Sequence, residues 1–360
     1  MRRHRMALLV VLSLLGLSLG AVAAGCGGGN NSSGGGQSKQ VANVPFTGSP
    51  ELKVPEGYPQ PKHQKLRLGF LNPLKANEFL NTMGESMRLE TQRLGGTLTE
   101  LDAKGDVDTQ VSQFSQLLAQ KPDGIAVFAL DPGSVAPVVK RANAAGIPLV
   151  TIDLSNTNPT AIDGYDTQVW ERRDQAAYMS ARQMTSKVGK GADVATIDFA
   201  VKVPSIVFSV SRYRYWAKKF GLKVVGNASN PSDDIAGGEK AMTQILGKFS
   251  GVKGVLAYND PSAIGAASAA RSQGKRDLVF GGENGGSDAL EAIKAGRLSY
   301  TIKLDPPSMG KDFADALYDL KQGKKVPKTV KAGPPQLVTS DNIDKVQNWA
   351  QELKKEYGKQ

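Results

Sequence analysis

Gly254 to Gly265 reads GVLAYNDPSAIG, and the reading of this stretch decides the fold. Val255-Leu256-Ala257-Tyr258 is a short apolar run with the length and composition of a buried parallel strand. The run stops at Asn259. Asp260 offers a helix N-cap, and Pro261 suits the first helical position, where its missing N–H would be unpaired anyway. Ile264 and the small residues after it continue a helix. In an open parallel sheet the polar residue at a strand's carboxyl end faces the ligand crevice. Asn259 is therefore expected to face a ligand, with Asp260 left to do the capping.

Working outward, the same junction occurs at Leu130-Asp-Pro and Leu304-Asp-Pro, where the aspartates read as helix caps. Between these marks, strands and helices alternate. Strands are expected over Leu66–Leu71, Leu98–Leu101, Gly124–Leu130 and Ile147–Asp153. Helical faces fall on Leu80, Met83, Met87 and Leu94, and on Val107, Val111, Phe114 and Leu118. The alternation then restarts. Helices are expected from about Gln168, Ser205, Ile235 and Ser287, and strands near Val194–Ile197, Leu222–Val225, Leu278–Gly281, Ser299–Leu304 and Gln336–Thr339. A last helix is expected from about Asp341. Repeats of this kind imply an α/β chain with two doubly wound parallel sheets, hence two lobes around a crevice that closes by a hinge motion.

The 360 residues suffice for two ordinary domains. The only histidines are His4 and His63, one in the leader and one in a linker, which nearly excludes histidine acid–base or triad chemistry from the folded body. The single cysteine, Cys26, excludes an internal disulfide and a two-cysteine zinc site. No metal or other cofactor is expected. The formal charge of +11 falls by three if Arg2, Arg3 and Arg5 are removed with a leader. The remaining basic residues are spread along the chain and read as a solvated surface, the alternative being attraction to anionic surfaces or an anionic solute.

Residues 1–25 have the layout of a secretory signal: a basic start, an uncharged apolar run from Met6 to Ala24, then small residues. Cys26 follows directly, and this resembles the lipobox of bacterial lipoproteins, which implies a diacylglycerol on its sulfur. Residues 26–63 are rich in Gly, Ser, Asn and then Pro, and read as a flexible tether. The body is expected outside the cytoplasmic membrane, lipid-anchored.

The body, from about Leu66 to Thr339, resembles the type 1 periplasmic sugar-binding proteins, the group that includes ribose-binding proteins. The landmarks are GFLN at Gly69–Asn72 with Asn77-Glu78-Phe79, LAQKPDGIAVFALD at Leu118–Asp131, AGIPLVTID at Ala145–Asp153, AYND at Ala257–Asp260 and FGGE at Phe280–Glu283. The resemblance implies two lobes joined by three crossings near Asp166, Leu304 and Pro334. One lobe would be 64–166 with 305–334, the other 167–304 with 335–360. It further implies capture of a small solute, a sugar or sugar-like compound, for an ABC permease, with the binding protein a monomer and without nucleic acid.

Carried over residue by residue, the resemblance implies ligand contacts at Asn72, Asn77, Phe79, Asp153, Arg212, Asn259 and Glu283. Glu283 stands where the family usually has aspartate. Leu154 stands where an arginine is common, and Leu304 where a glutamine is common. No aromatic aligns with the second-lobe stacking residue near Asp234, and Trp170, Trp216 or Tyr258 are the candidates to substitute. An unmet hydroxyl in a closed cleft costs about 1–3 kcal/mol, so these departures predict a solute less uniformly hydroxylated than ribose or galactose.

Two other classes compete. Gly281-Gly282-Glu-Asn-Gly285-Gly286 invites a phosphate-loop reading but fits neither the dinucleotide fingerprint nor the P-loop, so an enzyme would have to work with carboxylates alone. Related repressors share the two-lobed body but carry an N-terminal helix-turn-helix, where this chain has a leader and a tether. Presentation of the ligand to a membrane sensor is the alternative to import.

Overall fold

A computed structural model describes residues 45–46, 54–155 and 162–358. The leader, Cys26 and most of the tether lie outside the described residues. The first sheet takes β1 (Arg67–Asn72), β2 (Thr97–Asp102), β3 (Gly124–Val127), β4 (Leu149–Ile152), β5 (Thr167–Trp170) and β11 (Thr329–Lys331). They lie in the order β2-β1-β3-β4-β5-β11, all parallel. Helices α1 (Glu78–Arg93), α2 (Val107–Ala119) and α3 (Pro132–Ala144) connect them.

The second sheet takes β6 (Asp193–Phe199), β7 (Lys223–Asn230), β8 (Gly254–Ala257), β9 (Val279–Asn284), β10 (Tyr300–Lys303) and β12 (Gln336–Val338). Their order is β7-β6-β8-β9-β10-β12, parallel except for the last pair. Its helices are α4 (Arg173–Val188), α5 (Pro204–Lys219), α6 (Ile235–Lys248), α7 (Asp260–Ser272) and α8 (Ser287–Lys294). The fold is thus the expected one, two parallel-sheet lobes of six strands each within one compact unit. Strands β3, β4, β5, β8 and β10 are buried at every residue, and β3, β4 and β8 accordingly read as unbroken apolar or β-branched runs.

Helix α9 (Pro306–Lys321) returns to the first lobe, where Phe313 packs on Phe70 of β1 with ring centroids 5.8 Å apart. Full burial of each ring stabilises by about 1.5–3 kcal/mol. In the second lobe α6 and α7 lie with their backbones nearly touching. A Cβ on Gly238 would sit 2.6 Å from Ser262 O, and one on Gly265 would strike Ile235 O. Gly265, from the stretch that decides the fold, is therefore a packing glycine.

Three local expectations are corrected. Thr167–Trp170 is a buried strand of the first sheet, not the start of a helix, and α4 begins at Arg173. Its Thr, Val and Trp suit a pleated surface enclosed on both sides. The first crossing therefore follows Trp170 instead of falling near Asp166, while the other two lie between β10 and α9 and between β11 and β12. The last helix, α10 (Trp349–Tyr357), starts later than Asp341, because Asn348 and Gln351 form a reciprocal capping box there. It is not simply part of the second lobe. Trp349 meets Phe79 of α1 edge-on at 5.9 Å, and its Nε1 donates to Leu304 O at 3.1 Å.

Candidate functional site

The loops at the carboxyl ends of the two sheets face each other. On the first lobe, β1 runs into Asn77, which caps α1: its Oδ1 accepts from Phe79 N at 3.0 Å. Its Nδ2 crosses the gap and donates to Asp233 Oδ2 at 2.8 Å. Asp233 sits in the loop between β7 and α6 with a left-handed φ of 59°. That turn is held by buried Asn230, whose Oδ1 accepts from Ser232 N and Asp233 N, both at 3.0 Å.

Asn259 completes the bridge. Its Nδ2 donates to Asp233 Oδ1 at 2.7 Å, and Tyr258 donates its hydroxyl to the same oxygen. Burial pushes the Asp233 carboxyl above its usual range, against the pull of the donors from Tyr258, Asn77 and Asn259. The expected division of labour with Asp260 is corrected here. Asn259 is itself the N-cap of α7, accepting from Ser262 N at 3.0 Å. Asp260 turns inward and accepts from Gly285 N at 2.6 Å and Thr301 Oγ1 at 2.6 Å. Burial pushes its carboxyl up to about 7. The Asp-Pro pairs at 131 and 305 do cap, to Ser134 N and Ser308 N.

At the inner end, Arg173 gathers three carboxyl groups. It donates to Glu171 and, at 2.6 Å, to Glu283, and its Nε lies 3.9 Å from Asp153. Burial would lower its guanidinium pKa, but Glu171 and Glu283 outweigh that and raise it. Burial, then the Glu171 charge, lifts the Asp153 carboxyl well above its ordinary value. Glu283 is also lifted by burial, opposed by Arg173 and by donation from Tyr213 and Ser209. These groups span the first crossing: Asp153 directly follows β4, Glu171 lies in the crossing, and Arg173 and Glu283 belong to the second lobe.

A cavity of about 50 Å³ lies between Asn77, Phe79, Phe128, Arg173, Tyr258 and Asn259. Water occupies about 30 Å³, so this space suits one or two waters. A larger chamber of about 580 Å³ opens beside it, sharing Asn77, Phe79, Asp233 and Asn284. Four buried polar atoms around the inner end have no hydrogen-bond partner: Asp153 Oδ2, Glu171 Oε1, Ser205 Oγ and Asn284 Oδ1.

Of the residues named from sequence, Asn77, Phe79 and Asn259 line the inner cavity. Asp153 and Glu283 lie behind Arg173. Asn72 and Arg212 are corrected. The Asn72 amide is consumed within its own lobe, donating to Leu80 O and Glu100 and accepting from Leu74 N. Arg212 pairs with Asp174 at 2.7 Å and lies 4.1 Å over the Tyr215 ring, away from both cavities. Trp216 is core, Trp170 is in β5, and Tyr258 stacks on Phe199 at 5.9 Å beside the cavity. Asp233, Arg173 and Asn284 were missed. Arg173 was hidden by the misread helix start, and Asp233 by looking like one more cap beside Asp234, which does cap α6.

Among the described residues no group of three His, Cys, Asp or Glu is arranged to hold a metal, and no helix is long and apolar enough to cross a membrane.

Residues 68–325 match the family described as periplasmic binding protein domain. The ribose import binding protein RbsB of Bacillus subtilis is 31% identical over 256 residues, covering 71% of this chain and 82% of that protein. A D-apiose import binding protein of Paraburkholderia graminis is 26% identical, covering 79% and 90%. Among solved structures, an ABC transporter solute-binding protein of Agrobacterium vitis with bound D-fucose matches with a TM-score of 0.71 and 26% identity, covering 78% of this chain and 97% of that one.

Proposed function

The chain belongs to the periplasmic binding protein domain family, in its type 1 sugar-binding branch, and from that premise we propose that it captures a sugar or sugar-like solute between its lobes and delivers it to an ABC importer. The observation that carries this reading is the meeting of Asn77 and Asn259, from opposite lobes, on the one carboxylate of Asp233. Amides and a carboxylate that converge from two lobes can exchange their mutual hydrogen bonds for those of a polyhydroxylated ligand. Phe79 gives such a ligand an apolar surface. The protein acts outside the cytoplasmic membrane, held by a lipid on Cys26, and performs no chemistry on the solute.

A thermal-shift screen against sugars, polyols, nucleosides and organic acids tests the reading. A true ligand raises apparent stability by RT ln(1 + [L]/Kd). Stabilisation by a sugar or polyol, lost in Asn77→Ala, is the expected result. Stabilisation only by compounds without vicinal hydroxyls would overturn it. Membrane fractionation of Cys26→Ala, expected to release the protein from the membrane, tests the anchor.

A further inference from the structure

The charge lining the cleft describes the ligand more narrowly; this step rests on the reading of the cleft as a polyol site. The chain is basic, with 45 Lys and Arg against 34 Asp and Glu. The outer chamber reverses that balance. Its wall carries the carboxyl groups of Glu78, Asp233, Asp234 and Asp288 and no lysine or arginine, while the Asp260 carboxyl turns away from it toward Gly285 N and Thr301. Among the described residues, none of these four is in an ion pair. Deeper in, the single guanidinium of Arg173 faces Asp153, Glu171 and Glu283. The protein therefore leaves a negative field in a walled cleft, where it acts more strongly than in open water.

A metal ion does not account for this. The carboxyl groups are spread around the chamber wall, and among the described residues no three of them converge as ligands. The volume of about 580 Å³ is that of a small organic ligand site. A second observation concerns the wall that the two cavities share. Asn284 is only 9% exposed and belongs to that wall, and its Oδ1, itself buried, accepts from no group of the protein. Phe79 and Trp349 supply aromatic wall, and ammonium groups are attracted to aromatic faces as well as to carboxylates.

We propose that the solute is a polyhydroxylated ring bearing a protonated amine, an amino sugar or aminocyclitol, whose ammonium group lies toward Asp233 and Asn284 where the two cavities join. Calorimetric titration of the purified protein with matched pairs tests this: glucosamine against glucose, galactosamine against galactose, and an inosamine against myo-inositol. In at least one pair the amine binds about tenfold tighter or more, and the ratio shrinks when salt rises from about 50 to about 500 mM. Asp233→Asn brings the ratio below about threefold. A neutral member binding as tightly as its amine overturns the inference and leaves the polyol reading standing. A ratio that survives Asp233→Asn, or is indifferent to salt, overturns it as well. No binding by any member of any pair overturns the inference and leaves the polyol reading to the wider thermal-shift screen.

Discussion

Asn77 and Asp233 belong to different lobes, yet Asn77 Nδ2 lies 2.8 Å from Asp233 Oδ2. The two lobes are thus tied by side chains at the mouth of the cleft, where Asn259 adds a second amide to the same carboxylate. A second tie runs alongside: Glu78 of α1 accepts from Ser287 N at 2.8 Å and Ser287 Oγ at 2.9 Å, at the start of α8. A carboxylate at a helix N-terminus is favourable for both its hydrogen bonds and the helix dipole. On the proposed reading, a ligand that enters replaces the first tie and can keep the second.

Asn259 carries two roles that separate by substitution. Asn259→Ala removes the cap of α7 and the donor to Asp233, so stability falls by about 0.5–2 kcal/mol and solute binding weakens by about 1–3 kcal/mol. Asn259→Ser keeps a capping oxygen, so its unfolding midpoint stays near the wild-type value while binding still weakens. Calorimetry with the solute beside thermal unfolding checks both. Equal loss of stability in the two variants would refute the capping assignment.

Arg173 and Arg212 are expected to behave oppositely. Arg173→Leu leaves Glu171 and Glu283 buried without their cation and costs about 3–5 kcal/mol of stability. Arg212→Ala leaves ligand affinity within about twofold, because the side chain lies on α5 away from the cavities. Chemical denaturation and ligand titration measure the two effects. A large affinity loss in Arg212→Ala would return that residue to the site.

Helix contact through Gly265 is tested by a pair of alanines. Gly265→Ala drives a Cβ into the backbone of α6 and destabilises by about 1–3 kcal/mol. Gly247→Ala, in α6 with open space around its Cα, is neutral or stabilising by up to about 1 kcal/mol. The order of their unfolding midpoints is the readout.

Asp260 gives stability a pH dependence of unusual sign. Its folded pKa, about 7, lies above the unfolded value, so the folded state holds the proton longer. Stability is then greatest below the unfolded pKa and falls, by at most about 1.4 kcal/mol per pH unit from this group, as pH rises toward 7. Asp260→Asn preserves an acceptor for Gly285 N, removes the titration and is expected to gain stability relative to wild type at pH 8. Denaturation curves from pH 4 to pH 8 would show an unchanged slope in the variant if the assignment is wrong.

The alternation of strands and helices, the two lobes and the positions of most elements were legible in the chain, because apolar runs and 3.6-residue periodicity are local properties. Asn259 was legible as a crevice-facing residue at a strand's carboxyl end, Asn77 and Phe79 only through the family resemblance, and all three line the inner cavity. Tertiary structure decided the rest. Asn259 rather than Asp260 caps α7 because Asp260 is drawn away by Gly285, Gly286 and Thr301, all distant in sequence. Arg173 rather than Arg212 reaches the cleft because Thr167–Trp170 pairs as a strand between β4 and β11, which moves the crossing and the start of α4. Asp233 enters the site only because the second lobe brings its loop against Asn77, 156 residues earlier in the chain. Such pairings depend on the path of the whole chain, and no local pattern encodes them.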